Sequence, residues 1–176
     1  IDPTDAPDAI ENKINEFLNS QDIKLENKAN GNLDVEIEGI ESNSKKKKKG
    51  YMFVAISGFS SDGHDYIKNA IDNGAIVIVA ENIKKINKED IPENVTLIIA
   101  ENTREFLALS SCNFYHNPSR RFKLIGITGT RGKTTTTFMI KEILEKAGKK
   151  VGLIGTVATY INGKKIEDSD RTTPES

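Results

Sequence analysis

The stretch KLIGITGTRGKTTTTFMIKEILEKA, residues 123–147, decides the fold of this chain. Its apolar start predicts a strand, and the glycines Gly126, Gly129 and Gly132 predict a tight loop. The apolar spacing after Lys133 predicts a helix. A strand, a glycine-rich loop and a helix in this order suit a phosphate group, because backbone N–H groups and the positive end of the helix dipole both face the anion.

The loop has the short form T-G-T-x-G-K-T, residues 128–134. The commoner pattern G-x-x-x-x-G-K-S/T is not met, because its first glycine would fall at Ile127. The ammonium group of Lys133 can reach the outer phosphates, and the hydroxyl of Thr134 can coordinate the Mg²⁺ that accompanies them. The alternative is a glycine-rich turn with an exposed lysine, but the order of strand, loop and helix favours a nucleotide site.

Composition indicates a globular protein of rather polar character. The chain has 176 residues, of which 36% are hydrophobic and 29% are charged, so one large domain or two small ones are possible. The net charge of −1 gives no global field for nucleic acid or a membrane surface. A single cysteine, Cys112, excludes an internal disulfide and fits a reducing cytoplasm. No apolar stretch approaches membrane-spanning length.

Strand-like and helix-like segments alternate before the loop. Alternating apolar residues predict a strand over 33–40, and continuous apolar runs predict buried strands over Tyr51–Ile56, Ala75–Ala80 and Val95–Ala100. The predicted helices cover 9–19, 65–73 with Gly74 as its end, and a segment from Asn102 or Thr103 to just before Pro118. A short strand is expected near Leu25. This alternation predicts an α/β fold with a largely parallel sheet.

The segment NPSRRF, residues 117–122, predicts a linker and a domain boundary near 118–123. We therefore divide the chain into a leader, residues 1–32, a first domain, 33–120, and the start of a second domain, 121–176. Residues 1–8 are expected to be an added sequence or an internal cut. In the second domain, Gly148 ends the helix, a strand covers 151–160, Asn162-Gly163 forms a hairpin turn, and a polar loop covers 167–176.

Two features have both a structural and a functional interpretation. The run Lys45–Lys49 is typical of a solvated loop, but it could also form an anion-attracting rim beside a ligand. His64 could contact a ligand or brace its own loop. With two histidines and no C-x-x-C or H-x-x-x-H spacing, a structural zinc site or a histidine-dependent hydrolase has little support.

Four segments, in this order and spacing, resemble the Mur ligases of peptidoglycan synthesis from about residue 33 to residue 176. They are SNSKKKKKGYMFVAISGFSSDGHDYI (42–67), NPSRRFKLIGITGTRGKTTTT (117–137), KKVGLIGT (149–156) and RTTPES (171–176). Thr130, Thr137 and the TTPES segment favour the branch that acts on UDP-N-acetylmuramoyl-L-Ala-D-Glu over the MurF sibling.

The resemblance implies an ATP-dependent, Mg²⁺-requiring ligase of the cytoplasm. Such an enzyme adds an amino acid, diaminopimelate or lysine, through an acyl phosphate, and thereby supports cell-wall synthesis, cell shape and cell division. The first domain would hold the uridine nucleotide, and the second would begin a P-loop, Rossmann-like ATPase domain. We expect a monomer that binds neither nucleic acid nor a membrane.

The resemblance also implies site residues. The uridine diphosphate would meet Ser42 and Ser44 on one wall and Phe59, Ser60 and Ser61 on another. The muramoyl peptide would meet Arg171, Thr172 and Thr173. Lys133 would be catalytic and Thr134 a Mg²⁺ ligand, within the ATP-phosphate loop formed by Gly129, Thr130, Arg131, Gly132, Lys133, Thr134 and Thr135.

Four positions depart from the family pattern. Lys45 stands where an arginine is usual, and lysine cannot make the same forked contact. Lys47 and Lys49 replace a hydrophobic residue and a proline, and Arg131 replaces an asparagine. Arg131 adds positive charge near the triphosphate, so it changes the side-chain contact expected there.

The second metal-holding group and the amino-acid pocket of the family lie downstream of Ser176. We therefore expect this chain to be an inactive fragment that releases no phosphate and binds ATP poorly. Two other hypotheses are a non-catalytic uridine-nucleotide-binding module and a P-loop ATPase with an unrelated first domain. Uridine-nucleotide binding by residues 33–120 would support the ligase lineage. Its absence would favour the P-loop ATPase with an unrelated first domain.

Overall fold

The computed structural model describes the backbone of residues 25–58 and 61–168. The chain divides into two compact units, Ile1–Pro118 and Ser119–Ser176. The helix predicted over 9–19 lies outside the described residues.

A five-stranded sheet forms the centre of the first unit. Its strands are β1 (Leu25–Asn30), β2 (Gly39–Glu41), β3 (Tyr51–Val54), β4 (Ala75–Ala80) and β5 (Thr96–Ala100). Their spatial order is β1-β5-β4-β3-β2, with β2 to β5 parallel and β1 antiparallel to β5. The prediction of an α/β fold with a largely parallel sheet is confirmed.

Helices cover both faces of this sheet. Helix α1 (Ile67–Asp72) buries Ile67 and Ala70 against Phe53 and Ile78. On the opposite face, helix α2 (Thr103–Phe114) buries Phe106 and Leu107. They form a cluster with the alternate residues of the strands, whose side chains lie on this face of the sheet. Both faces are therefore buried, which explains why β4 is continuously apolar in sequence and β5 is apolar except for Thr96. Short 3₁₀ helices cover Gly63–Tyr66, Ile83–Lys85, Lys88–Asp90 and Pro118–Arg121.

The strand predicted over 33–40 is largely wrong, because only Gly39–Glu41 forms a strand of the sheet, β2, while Glu36 takes part in an isolated bridge. Leu33, Val35 and Ile37 instead pack against the cluster on the α2 face. An irregular segment that lies on a core buries every second side chain just as a strand does, so alternation alone could not separate the two. By contrast, Gly74 follows α1 with φ of +104°, as predicted for a helix end.

Up to residue 168, where the description ends, the second unit contains one α-helix and a three-stranded antiparallel sheet. Helix α3 covers Lys133–Lys146, and the strands are β6 (Gly152–Ile154), β7 (Ala158–Ile161) and β8 (Lys164–Asp168). Gly148 ends the helix with φ of +73°, and the N–H groups of Gly148 and Lys149 bond to the carbonyls of Glu145 and Leu144.

Asn162 and Gly163 both have positive φ, which confirms the predicted tight hairpin turn between β7 and β8. The single strand predicted over 151–160 is wrong, because Gly155–Val157 separates β6 from β7. The polar loop predicted over 167–176 is wrong at its start, since Glu167 and Asp168 belong to β8, and the rest of this prediction lies outside the described residues.

The strand predicted ahead of the phosphate loop does not form. Leu124 and Ile125 are 77% and 57% exposed, and no described residue pairs with this segment. A strand needs a neighbour to bond its N–H and C=O groups. The apolar pattern therefore identifies a segment suited to a sheet interior, which lacks sheet partners here.

Candidate functional site

The candidate site of the first unit is the edge of the sheet where its parallel strands end. Ser42 and Ser44 follow β2, Ser61 follows β3, and Glu81 follows β4. Because β2, β3 and β4 are neighbours in the sheet, the polar segments that follow them emerge from adjacent positions. Ligands of open α/β sheets bind outside the carboxyl ends of the strands, so this edge is the natural position for a ligand.

The segment after β2 begins with a fixed turn. Ser42 is exposed, whereas Ser44 is only 7% exposed. The Ser44 carbonyl accepts a hydrogen bond of 2.7 Å from Nδ2 of Asn73, which directly follows α1. No hydrogen bond joins the Ser44 hydroxyl to another described residue. The backbone at Ser44 is thus held in place while its hydroxyl remains available to a polar ligand.

The five lysines Lys45–Lys49 that follow are all exposed. Lys46 forms an ion pair of 2.9 Å with Glu41, and the ammonium group of Lys48 donates to the carbonyl of Glu38 at 2.8 Å. The loop is therefore solvated, and part of its charge is already paired. An anion-attracting rim formed by the rest of the loop stays a prediction.

The segment after β3 is a closed turn based on Ser57 and Asp62. These two residues form an antiparallel bridge, and the Ser57 hydroxyl donates to the Asp62 carboxylate at 3.1 Å. Inside the bridge, the N–H of Gly58 donates to the carbonyl of Ser61 at 2.9 Å. Ser61 is exposed, and the predicted contacts Phe59 and Ser60 lie outside the described residues.

His64 braces this turn from within the protein. It is 5% exposed, its Nδ1 lies 2.6 Å from Oδ1 of Asp62, and its Nε2 lies 3.2 Å from the backbone N of Glu81. Since the Glu81 N–H can only donate, Nε2 must accept and Nδ1 must carry the proton that points at Asp62. Of the two interpretations of His64, the structure supports the brace.

Asp62 makes two further contacts around the turn. It accepts the backbone N–H of His64 at 3.1 Å and forms an ion pair with the ammonium group of Lys85. The hydrogen bond from Lys85, followed by those from His64, holds the pKa of the Asp62 carboxyl well below its usual range. The same bond raises the pKa of Lys85. The Asp62 carboxyl is therefore ionised in the folded protein near neutral pH.

Asp62→Asn is expected to lower the midpoint of thermal unfolding near pH 7, by an amount that shrinks as the pH falls from about 5 to about 2. The folded-state pKa lies below the unfolded value of about 4, so the carboxylate stabilises the fold above that pH and loses this effect in acid. Asp62 is partly exposed and its partners are Lys85 and His64, so about 1 kcal/mol or less is expected. Thermal melts of both proteins across this range measure it. A pH-independent difference would contradict the assignment.

Sequence reasoning missed a second set of residues at the same edge. Glu81 Oε1 accepts both the N–H and the hydroxyl of Thr103, at 2.8 and 2.9 Å. Arg104 donates from Nη2 to the Ser57 carbonyl at 3.2 Å. Asn102 caps α2 by accepting the N–H groups of Arg104 and Glu105, which confirms one of the two caps predicted. Polar residues placed directly after predicted parallel strands were the signal that could have indicated this set.

The phosphate loop of the second unit has the backbone that its glycines predict. Gly129 and Gly132 have φ of +151° and +79°, and Gly132 precedes α3 without a side-chain cap. The ammonium group of Lys133 donates to the Gly129 carbonyl at 2.7 Å. The remaining predicted ATP contacts are exposed: Thr130, Arg131, Thr134 and Thr135.

This arrangement fits a nucleotide phosphate, because uncapped N–H groups in the first turn of α3 and a nearby ammonium group are both anion donors. Within the described ranges, no three His, Cys, Asp or Glu side chains are placed to hold a metal ion. A magnesium ion here would rely on Thr134 and on phosphate oxygens, which is a common way to bind Mg²⁺. Arg171, Thr172 and Thr173 lie outside the described residues.

Comparison with known proteins places both units in one family. A model described as "Mur ligase family, catalytic domain" matches residues 36–115, and one described as "Mur ligase middle domain" matches residues 127–176. None of the helices that the structure describes is long and apolar enough to cross a membrane.

Curated relatives match most of the chain. The UDP-N-acetylmuramoyl-L-alanyl-D-glutamate–2,6-diaminopimelate ligase of Clostridium botulinum is 57% identical over 141 residues, which cover 80% of this chain and 29% of the relative. The ligase of the same name from Clostridium tetani is 51% identical over 154 residues, covering 87% and 31%. The chain thus spans about 30% of the length of these relatives.

Solved structures show the same fold. A structure of a UDP-N-acetylmuramoyl-L-alanyl-D-glutamate–2,6-diaminopimelate ligase superposes with a TM-score of 0.61 at 18% identity, covering 87% of this chain and 29% of the other. A MurF crystal structure from Acinetobacter baumannii gives a TM-score of 0.50 at 26% identity, covering 72% and 25%. The chain belongs to the Mur ligase family, whose members are ATP-dependent ligases.

Proposed function

We propose that this chain provides the uridine-nucleotide site and the phosphate loop of a MurE-type ligase. Such an enzyme adds an amino acid to UDP-N-acetylmuramoyl-L-alanyl-D-glutamate in cytoplasmic peptidoglycan synthesis. The observation that carries the proposal is the 57% identity with a diaminopimelate ligase over 141 residues. The names of the relatives favour diaminopimelate over lysine as the amino acid added.

We assign the uridine diphosphate to the carboxyl edge of the first unit. Ser42 and Ser44 follow β2, and Ser61 closes the turn after the neighbouring strand β3. This assignment is supported by the buried Ser44 side chain, whose hydroxyl has no partner within the described residues, and by the usual position of ligands on parallel sheets. Phe59 and Ser60 are proposed as part of the same wall, and the domain boundary is proposed near residues 118–123.

We assign ATP to the loop from Gly129 to Thr135. Bound there, ATP supplies the phosphoryl group that activates the substrate carboxylate as an acyl phosphate. The ammonium group of Lys133 would neutralise phosphate charge, and the Thr134 hydroxyl would ligate Mg²⁺. Exposed Arg131 would add a second positive charge to the rim of the loop. Arg171, Thr172 and Thr173 are proposed to meet the muramoyl peptide, and the protein is proposed to act as a monomer.

Titration of the isotope-labelled 176-residue chain with UDP, followed by NMR, tests the proposal. UDP is expected to shift the amide signals of Ser42, Ser44, Gly58 and Ser61, whereas ADP is expected to shift those of residues 129–135. Ser44→Ala should weaken UDP binding about tenfold, because one hydrogen bond to an anionic ligand is lost. Its carbonyl still accepts the bond from Asn73, so the turn is kept.

Ser111→Ala in the second half of α2 is the matched control, and its affinity for UDP should equal that of the wild type. The proposed nucleotide site is wrong if UDP moves no amide signal at the carboxyl edge. It is also wrong if ADP shifts the same signals as strongly, because the site would then not distinguish uridine from adenosine.

A further inference from the structure

The turn closed by Ser57 and Asp62 is held from two sides by cations. Lys85 forms an ion pair with Asp62, and the same carboxylate accepts the Ser57 hydroxyl at 3.1 Å. From the other side, Arg104 donates to the Ser57 carbonyl at 3.2 Å. Ser57 is therefore fixed through both its side chain and its backbone.

The two cations come from different parts of the carboxyl edge. Lys85 lies in the 3₁₀ helix Ile83–Lys85, which follows β4, and Arg104 lies in the first turn of α2, which follows β5. Segments after three successive parallel strands thus meet at the turn after β3. Such convergence fixes Ser57 and Asp62, the two ends of the turn, which contacts between sequence neighbours alone would leave adjustable.

Stability alone accounts poorly for this arrangement. The side chains of Lys85 and Asp62 are 48% and 25% exposed, and ion pairs with this much solvent contact contribute little to folding. Arg104 places a positive charge in the first turn of a helix, where the helix dipole opposes it. Both cations are better explained by what they do to the turn.

We propose that Lys85 and Arg104 are positioning residues that hold the Ser57–Asp62 turn in the conformation that receives a uridine nucleotide. This inference rests on the nucleotide site proposed above. Lys85 is engaged by Asp62, so it acts on the ligand through Asp62 and Ser57 instead of by pairing with phosphate. Arg104 acts through the Ser57 carbonyl, which it holds while Asp62 holds the hydroxyl.

Lys85→Met and Arg104→Gln test this inference in the full 176-residue chain. Each is expected to raise the Kd for UDP about tenfold and to speed amide exchange at Gly58 by a similar factor, because one bond that holds the turn is lost. The midpoint of thermal unfolding of each variant should stay close to that of the wild type. Lys84→Met is the matched control: Lys84 is the exposed neighbour of Lys85, its side chain has no hydrogen bond or ion pair within the described part of the chain, and it should behave as the wild type.

Conservative variants separate positioning from general loss of structure. Lys85→Arg can still pair with Asp62 and Arg104→Lys can still donate to the Ser57 carbonyl, so both should recover most of the UDP affinity. Wild-type affinity for UDP in Lys85→Met and Arg104→Gln would overturn the inference. Failure of the conservative variants to restore affinity would also overturn it.

The exchange rate at Gly58 distinguishes failure of this inference from failure of the proposed function. If the wild type binds no UDP, the proposed nucleotide site is wrong, and Lys85 and Arg104 then have no role in nucleotide binding. Faster Gly58 exchange in both variants would then still show that the cations hold the turn. Unchanged Gly58 exchange would overturn that as well.

Discussion

Gly63→Ala is expected to lower the free energy of unfolding of the first unit by about 3 kcal/mol or more. A Cβ atom at this position would lie 2.5 Å from the backbone N of Ile56 and 2.8 Å from its carbonyl O. Both are backbone atoms of the segment just after β3, so neither can rotate away as a side chain would. The N–H of Gly63 also donates to that carbonyl at 2.9 Å, and the added methyl group would force this bond apart. Urea unfolding followed by circular dichroism measures the change.

Gly39→Ala is the matched control for this substitution. Its Cβ atom would lie 2.8 Å from Nζ of Lys48, which is the far end of a flexible and exposed side chain. That ammonium group can move, so a loss of less than about 1 kcal/mol is expected. Equal unfolding midpoints for the two variants would show that the close approach at Gly63 is relieved by the surrounding backbone.

Glu81→Ala is expected to destabilise the first unit by about 2 to 3 kcal/mol. Thr103 is fully buried, and both its N–H and its hydroxyl donate to Oε1 of Glu81. Removing the carboxylate leaves two buried donors without an acceptor, and each unmade bond costs about 1 kcal/mol or more. Urea unfolding again measures the loss.

Two further variants control for charge and position. Glu81→Gln keeps an acceptor oxygen and should lose much less stability than Glu81→Ala. Glu101→Ala removes an exposed carboxylate just after β5, at the same edge of the sheet, and should be close to neutral. If Glu81→Ala and Glu101→Ala unfold at the same urea concentration, the hydrogen bonds from Thr103 to Glu81 contribute nothing to stability.

The sequence predicted those elements whose signal is local. The apolar run at 75–80 matches β4, because a strand buried on both faces is nearly continuous in apolar residues. The cap at Asn102 and the stop at Gly148 follow from backbone geometry that few residues satisfy. The strand predicted over 33–40 was wrong because burial of alternate residues does not require a partner strand.

The same distinction between local and long-range signals applies to the candidate site. The phosphate loop was predictable because its glycines, Lys133 and Thr134 are contiguous. The Asp62–Lys85 and Ser57–Arg104 contacts were not, because they join residues 23 and 47 positions apart and depend on the order of strands in the sheet. The ligand roles of Ser42, Ser44, Ser61 and the phosphate loop stay predictions until a titration is done.

The antiparallel strand at the edge of the first sheet has a consequence for how the chain folds. β1 begins at Leu25, which pairs with Ala100 at the far end of β5. Closing the long loop between Leu25 and Ala100 is slow, because the chain loses conformational entropy before the contacts of the pairing form. On the ribosome, β1 must therefore wait until β5 has emerged, while the parallel core from β2 to β4 can assemble first. The earliest part of this sheet in sequence is among the last to join it.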